Sequence, residues 1–142
     1  MPQIEITGKV DLIQDLSDAT SSVTDFKTGE VKTKREIEKI SKDGRMSDLT
    51  RQLAMYSYLL MHMKEEKPVS CSRLFFVEAE EGDTDMIYEK QIGGEEISLL
   101  RKDIQDYDTF LKNGTWVDLQ CNFKPYGRQK ECEYCALARN LK

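Results

Sequence analysis

Val23-Thr24-Asp25-Phe26-Lys27-Thr28-Gly29 is the stretch that decides how this chain is read. Side chains alternate along a strand, so Val23, Asp25 and Lys27 share one face, and a carboxylate and an ammonium stand side by side on it. Thr28-Gly29 then reads as a turn. Upstream, Ile4, Ile6, Val10 and Leu12 fall on one parity and Glu5, Thr7, Lys9 and Asp11 on the other, which predicts a half-buried strand from Ile4. The polar stretch from Gln14 to Ser22 makes the two strands a β-hairpin. A hairpin folded about Asp18 sets Asp11 opposite Asp25, with Cβ atoms at about 4.5 to 5.5 Å.

Like charges directly opposed destabilise a sheet. A divalent cation removes that penalty, and hard oxygen ligands suit Mg²⁺ or Mn²⁺, which take one or two protein carboxylates plus water and phosphate oxygens. An ammonium at Lys27, next to such a cation, is placed to hold an attacking water, and the set fits phosphodiester hydrolysis. The bland alternative is a salt-bridged strand face, which contributes little. Acid-x-Lys triplets recur at Glu30-Val31-Lys32 and Glu65-Glu66-Lys67, but neither has a partner acid on a neighbouring strand.

Working outward, residues 30 to 46 are dominated by charge and read as a solvated loop or a weak helix with a turn at Asp43-Gly44. Ser47-Asp48 is an N-cap region, and Leu49, Leu53, Tyr56, Leu60 and Met63 follow at helical spacing, predicting an amphipathic helix to about Lys64 that packs on the sheet. Gln52 and Tyr56 lie one turn apart on it. Tyr56 has two readings, core packing or a place beside the site, and Gln52 on the edge of an apolar face calls for a polar partner. Cys71 to Glu78 and Met86 to Ile92 read as a second hairpin, and Glu95 to Lys112 as a second long helix with Ile97, Leu100, Ile104, Tyr107 and Leu111 on one face.

The chain has 142 residues, 39% of them apolar and 33% charged, with a formal net charge of -5. One domain with a buried core is expected, and disorder is excluded by the aliphatic and aromatic content. The longest apolar run, Ala54 to Met63, is too short to cross a bilayer and is broken by Ser57 and His62. Met-Pro-Gln-Ile-Glu-Ile has neither a basic region nor an apolar stretch, so no secretory signal is expected and the cytoplasm is the default location. The acidic balance argues against a broad cationic face that coats nucleic acid. Positive side chains are nevertheless concentrated from Lys27 through Arg51, beside the acid pair.

Gly8-Lys9-Val10-Asp11-Leu12-Ile13, then Val23 to Gly29, then Gln52-Leu53-Ala54-Met55-Tyr56 resemble, in order and spacing, the motifs of the PD-(D/E)XK nuclease superfamily. The RecB-type exonuclease branch, with the nuclease domains of AddB-like helicase-nucleases and the CRISPR-associated exonucleases, is the most similar. The resemblance covers roughly residues 4 to 92 and extends more loosely to the tail. It implies an α/β (α+β) fold with a restriction-endonuclease-like core, a central mixed sheet of four to five strands flanked by helices. It also implies that Asp11 and Asp25 bind Mg²⁺ or Mn²⁺, that the backbone carbonyl of Phe26 adds a ligand, that Lys27 orients the nucleophilic water, and that Gln52 and Tyr56 hold the lysine or the DNA strand. DNA is the implied partner, together with a helicase region or partner subunit.

Two features depart from the pattern. Members of the branch begin with a helix ahead of the first strand, whereas Ile4 already falls in the strand. The expectation is a first core helix missing from this sequence and a chain, 1–142, that is a single nuclease-like piece of a longer protein. His62 is expected to be a surface or satisfied core histidine rather than the missing ligand. The second departure is in the cysteines. Residues 115–142 read as an irregular tail holding Cys121, Cys132 and Cys135. Cys132-Glu133-Tyr134-Cys135 resembles the cysteine cluster of iron-sulfur nucleases in this branch, but no cysteine follows it, so a [4Fe-4S] cluster, a zinc site at Cys121, Cys132 and Cys135, joined by Cys71 if the fold allows, and a metal-free remnant stay open. For function, the leading expectation is a Mg²⁺- or Mn²⁺-dependent deoxyribonuclease in DNA recombination and repair. The alternatives are a catalytically inactive DNA-binding or scaffold module with the same fold, and a small interaction domain whose acidic pairs are only surface charge.

Overall fold

A computed structural model describes residues 4–17, 19–63, 68–80 and 86–113 together with Cys132 and Cys135. The chain divides into two compact units, Met1–Asp106 and Tyr107–Lys142. The elements in order are β1 (Leu12–Asp15), β2 (Ser21–Lys27), α1 (Lys34–Ile37), α2 (Asp48–Met61), β3 (Val69–Phe76), β4 (Ile87–Lys90) and α3 (Gly94–Lys112). The strands form one four-stranded sheet in the order β1-β2-β3-β4. Pairing is antiparallel at β1/β2 and β3/β4 and parallel at β2/β3. The parallel pair needs a long connection between its strands, and α1 and α2 lie in it. This is the mixed sheet flanked by helices expected of a restriction-endonuclease-like α/β fold, with four strands.

β2 and β3 are the central strands, and residues Ser21 to Asp25 are buried throughout. One face carries Val23, Leu74, Phe76 and Tyr88, which form a core with Ile37, Leu53 and Tyr56 from the helices. α2 begins at Ser47, whose hydroxyl accepts from Thr50 N, and its apolar stripe buries Leu53 and Tyr56 while Leu49 and Leu60 pack at the margin. Met63 is left exposed, and the helix stops at Met61 with His62 as its cap. A smaller cluster joins Met46 and Ala54 to Leu100 of α3, with Ile104 against it. Farther along α3, Tyr107 and Leu111 are exposed, so the expected apolar face is buried only over part of its length.

The strand expected from Ile4 is not formed. Residues 4–10 have no regular structure, and β1 is four residues long with every residue exposed. Ile4, Ile6 and Val10 are half-buried, with the residues between them exposed, along a segment that packs without pairing: a Cβ at Gly8 would lie 2.7 Å from the Leu59 side chain of α2. A strand interior gains nothing from glycine, and a close approach to a helix favours it. The charged stretch after β2 is more ordered than a solvated loop. Gly29, with φ +111, makes the turn out of β2. Thr33 and Glu36 then form a capping box at the start of α1, and Ile40 bridges Met46 across the turn at Gly44.

Candidate active site

The site is built where β2 runs under the first turns of α2. Leu12 pairs with Thr24 and Ile13 with Val23, so the register, continued by one residue, sets Asp11 opposite Asp25. This is the register of a hairpin folded about Asp18, with which the parity of the two strands is consistent. Asp11 stands just ahead of β1, and its Oδ2 accepts the Phe26 backbone N–H at 3.0 Å. Lys27 gives its carbonyl to Val77 N on the β3 side. Backbone groups alternate between the two edges of a strand, so the Phe26 N–H and carbonyl both face the other edge, where Asp11 is.

On the α2 face, Asp25 is 4% exposed. Burying a carboxylate costs several kcal/mol unless it is paired and hydrogen-bonded. Lys27 supplies the pairing, and hydrogen bonds reach one of the two oxygens. Oδ1 accepts from Gln52 Nε2 at 2.9 Å and from the Tyr56 hydroxyl at 2.9 Å, while Oδ2 lies 2.7 Å from Lys27 Nζ. Lys27 Nζ also donates to Gln52 Oε1 at 2.5 Å, and Gln52 Nε2 donates to Tyr56 Oη at 2.7 Å. One glutamine therefore binds the acid with its nitrogen and the lysine with its oxygen. Burial, and then the bond to Asp25, push the Tyr56 phenol above its ordinary range. The Tyr56 ring lies in the core and its hydroxyl donates to Asp25.

Oδ2 of Asp25 is buried and accepts no hydrogen bond among the described residues, although the Lys27 ammonium lies 2.7 Å away. A buried acceptor that is not hydrogen-bonded is costly, and a cation is its natural partner. The donors available are this oxygen, the Asp11 carboxylate and the Phe26 carbonyl. All are hard oxygens, and the set fits Mg²⁺ or Mn²⁺ rather than a soft metal.

Asp25, Lys27, Gln52 and Tyr56 are thus brought into one hydrogen-bonded set, with Asp11 joined through the Phe26 amide. His62 is exposed at the end of α2, with Nδ1 2.8 Å from the Tyr58 carbonyl. Cys71 is half-buried on β3, where burial raises its thiol pKa. Cys132 and Cys135 are half-buried in the second unit, and Cys121 lies outside the described residues, as does nearly all of the tail 115–142. No group of three or more His, Cys, Asp or Glu side chains placed to hold a metal occurs among the described residues.

The junction of the two helices is not foreshadowed by the sequence patterns. Thr50 Oγ1 donates to the Ile37 carbonyl at 2.6 Å, and the Ser47 hydroxyl donates to the same oxygen, fastening the end of α1 to the start of α2. Thr33-Lys34-Arg35-Glu36 carries the capping-box signature that reveals the helix so held.

The fold and this set define a restriction-endonuclease-like domain with an acid-x-Lys centre. A family model of the PD-(D/E)XK nuclease superfamily matches residues 2–139, and the chain belongs to that superfamily, whose members are generally nucleases. Comparison with curated proteins and with solved structures gives no match.

Proposed function

We propose that this chain is a metal-dependent deoxyribonuclease of the RecB-type branch, an exonuclease or nuclease domain that hydrolyses phosphodiester bonds in DNA recombination and repair. The observation that carries the proposal is the buried Asp25 Oδ2, which is not hydrogen-bonded and stands 2.7 Å from the Lys27 ammonium. In this reading Asp11, Asp25 and the Phe26 carbonyl hold Mg²⁺ or Mn²⁺. When bound, such a cation supplies charge stabilisation at the phosphoryl oxygens and a water of lowered pKa.

The protein side chains do the rest. The Lys27 side chain is 24% exposed, and Gln52 fixes the direction of its ammonium. It orients the water that adds to phosphorus as the bond to one ester oxygen breaks, and the departing oxygen takes up a proton. Tyr56 and Gln52 hold Asp25 in place, with its Oδ1 fully engaged and Oδ2 turned toward the reacting groups. The whole chain acts as one nuclease-like domain, in company with a helicase region or a partner subunit.

Cleavage of linear single-stranded, linear double-stranded and circular DNA, each with Mg²⁺, Mn²⁺ or EDTA, tests the proposal. Cleavage that requires the divalent ion is expected, with circular DNA spared by an exonuclease. A folded chain that cleaves none of the three under any metal condition overturns it.

A further inference from the structure

α1 presents Lys34 and Arg35, and Lys39 follows its C-terminal cap. Together with Glu38 they line an open cleft of about 590 Å³. Of the acids of this segment, Glu36 is engaged away from the cleft, while Glu38 belongs to its lining and is held by other partners. Glu36 turns back onto the Thr33 N–H and hydroxyl. Glu38 accepts the Tyr88 hydroxyl at 2.8 Å and lies 3.9 Å from Lys90. Lys34 reaches Glu38 only at 4.0 Å, and among the described residues neither Arg35 nor Lys39 has an ion-pair partner. A protein of net charge -5 therefore concentrates three cations in one cleft.

The cleft is fixed relative to the acid-x-Lys centre. Ile37, fully buried, packs in the cluster that contains Tyr56. Its carbonyl is held by Ser47 and Thr50, at the end of α2 that carries Gln52. Lys34 follows Lys27 by seven residues, a reach of at most about 25 Å for an extended chain. A centre with two carboxylates repels a polyanion, so a substrate strand needs cations close by along its approach.

We propose that Lys34, Arg35 and Lys39 bind the phosphodiester backbone of the DNA substrate and lead it to Asp11 and Asp25. The assignment rests on the nuclease reading above and adds the path of the strand to it. Recognition is by charge, so it is indifferent to base sequence and weakens with salt.

The test is fluorescence-anisotropy binding of labelled linear duplex DNA to the full chain in EDTA, across a salt series. The triple variant Lys34→Gln, Arg35→Gln, Lys39→Gln should bind at least about 10-fold more weakly, and the slope of log K against log salt should shrink by nearly 3, about 0.9 for each phosphate that no longer meets a cation. The charge-conserving pair Lys34→Arg, Lys39→Arg should bind as the wild type does. Lys102→Gln, at a lysine paired with Asp106, should leave the slope unchanged. Wild-type affinity and slope in the triple variant, an equal loss in Lys102→Gln, or a wild type that binds no DNA each overturns the subsite. A chain that binds DNA through these residues yet cleaves none overturns the hydrolytic reading and leaves the subsite standing.

Discussion

Lys27 and Gln52, 25 residues apart in the chain, meet at 2.5 Å between ammonium and amide oxygen. The same amide gives its nitrogen to Asp25, so the lysine and the carboxylate are set by one side chain on α2. In the proposed hydrolytic reading Gln52 is a positioning residue. A reversal of its amide would direct NH₂ at an ammonium and the oxygen at a carboxylate, so both contacts fix its orientation.

Gln52→Ala leaves every proposed metal donor in place and releases Lys27. kcat should fall about 10- to 100-fold, the range typical of groups that orient others, with KM for DNA and Mn²⁺ affinity nearly unchanged. Steady-state kinetics separates the two parameters. A rise in KM with kcat preserved would show instead that Gln52 contacts the strand.

Tyr56→Phe removes a hydroxyl that donates to a buried carboxylate, at a cost of about 1 to 3 kcal/mol. It should also alter the alkaline limb of stability. Because burial and the bond to Asp25 raise the phenol above 10.0, the native state keeps this proton at pH values where the unfolded chain loses it. The native state then binds more protons, so the contribution is complete below about pH 10 and is lost as pH rises through the folded value. Tyr88, raised by burial and its bond to Glu38, acts in the same direction. Urea unfolding between about pH 9 and 11 should show a shallower decline in Tyr56→Phe than in the wild type. Identical declines would contradict the role given to Asp25.

Metal binding is measurable without turnover. Calorimetric titration with Mn²⁺ should show one site in the wild type, weakened at least about 10-fold in Asp11→Asn because a charged hard-oxygen ligand is removed. Asp11 is exposed and lies outside the core, so this variant should keep the wild-type circular dichroism. Unchanged Mn²⁺ affinity would remove Asp11 from the site.

Much of the fold and site is legible in the sequence because it rests on parity. The alternation at Val23, Asp25 and Lys27 puts an acid and a lysine on one face, and a hairpin centred on Asp18 sets Asp11 opposite Asp25. The three-and-four spacing from Leu49 places Gln52 and Tyr56 on one turn of a helix, with the helix end misplaced by a few residues. Alternation misleads at Ile4. A similar pattern arises when an irregular segment lies against a helix, and only Gly8 hints at the close approach to Leu59. The bonds from Ser47 and Thr50 to the Ile37 carbonyl are not legible, since they depend on two elements meeting in space. Periodicity within each element does not contain that information.

The central claim is that Asp25 and Lys27 form a hydrolytic centre. The most direct measurement is the single-turnover rate of Mg²⁺- or Mn²⁺-dependent cleavage of linear DNA by the wild type and by Lys27→Ala, with circular dichroism confirming that both are folded. The predicted result is cleavage by the wild type and a loss of more than about 10²-fold in the variant. Undiminished cleavage by Lys27→Ala would contradict it.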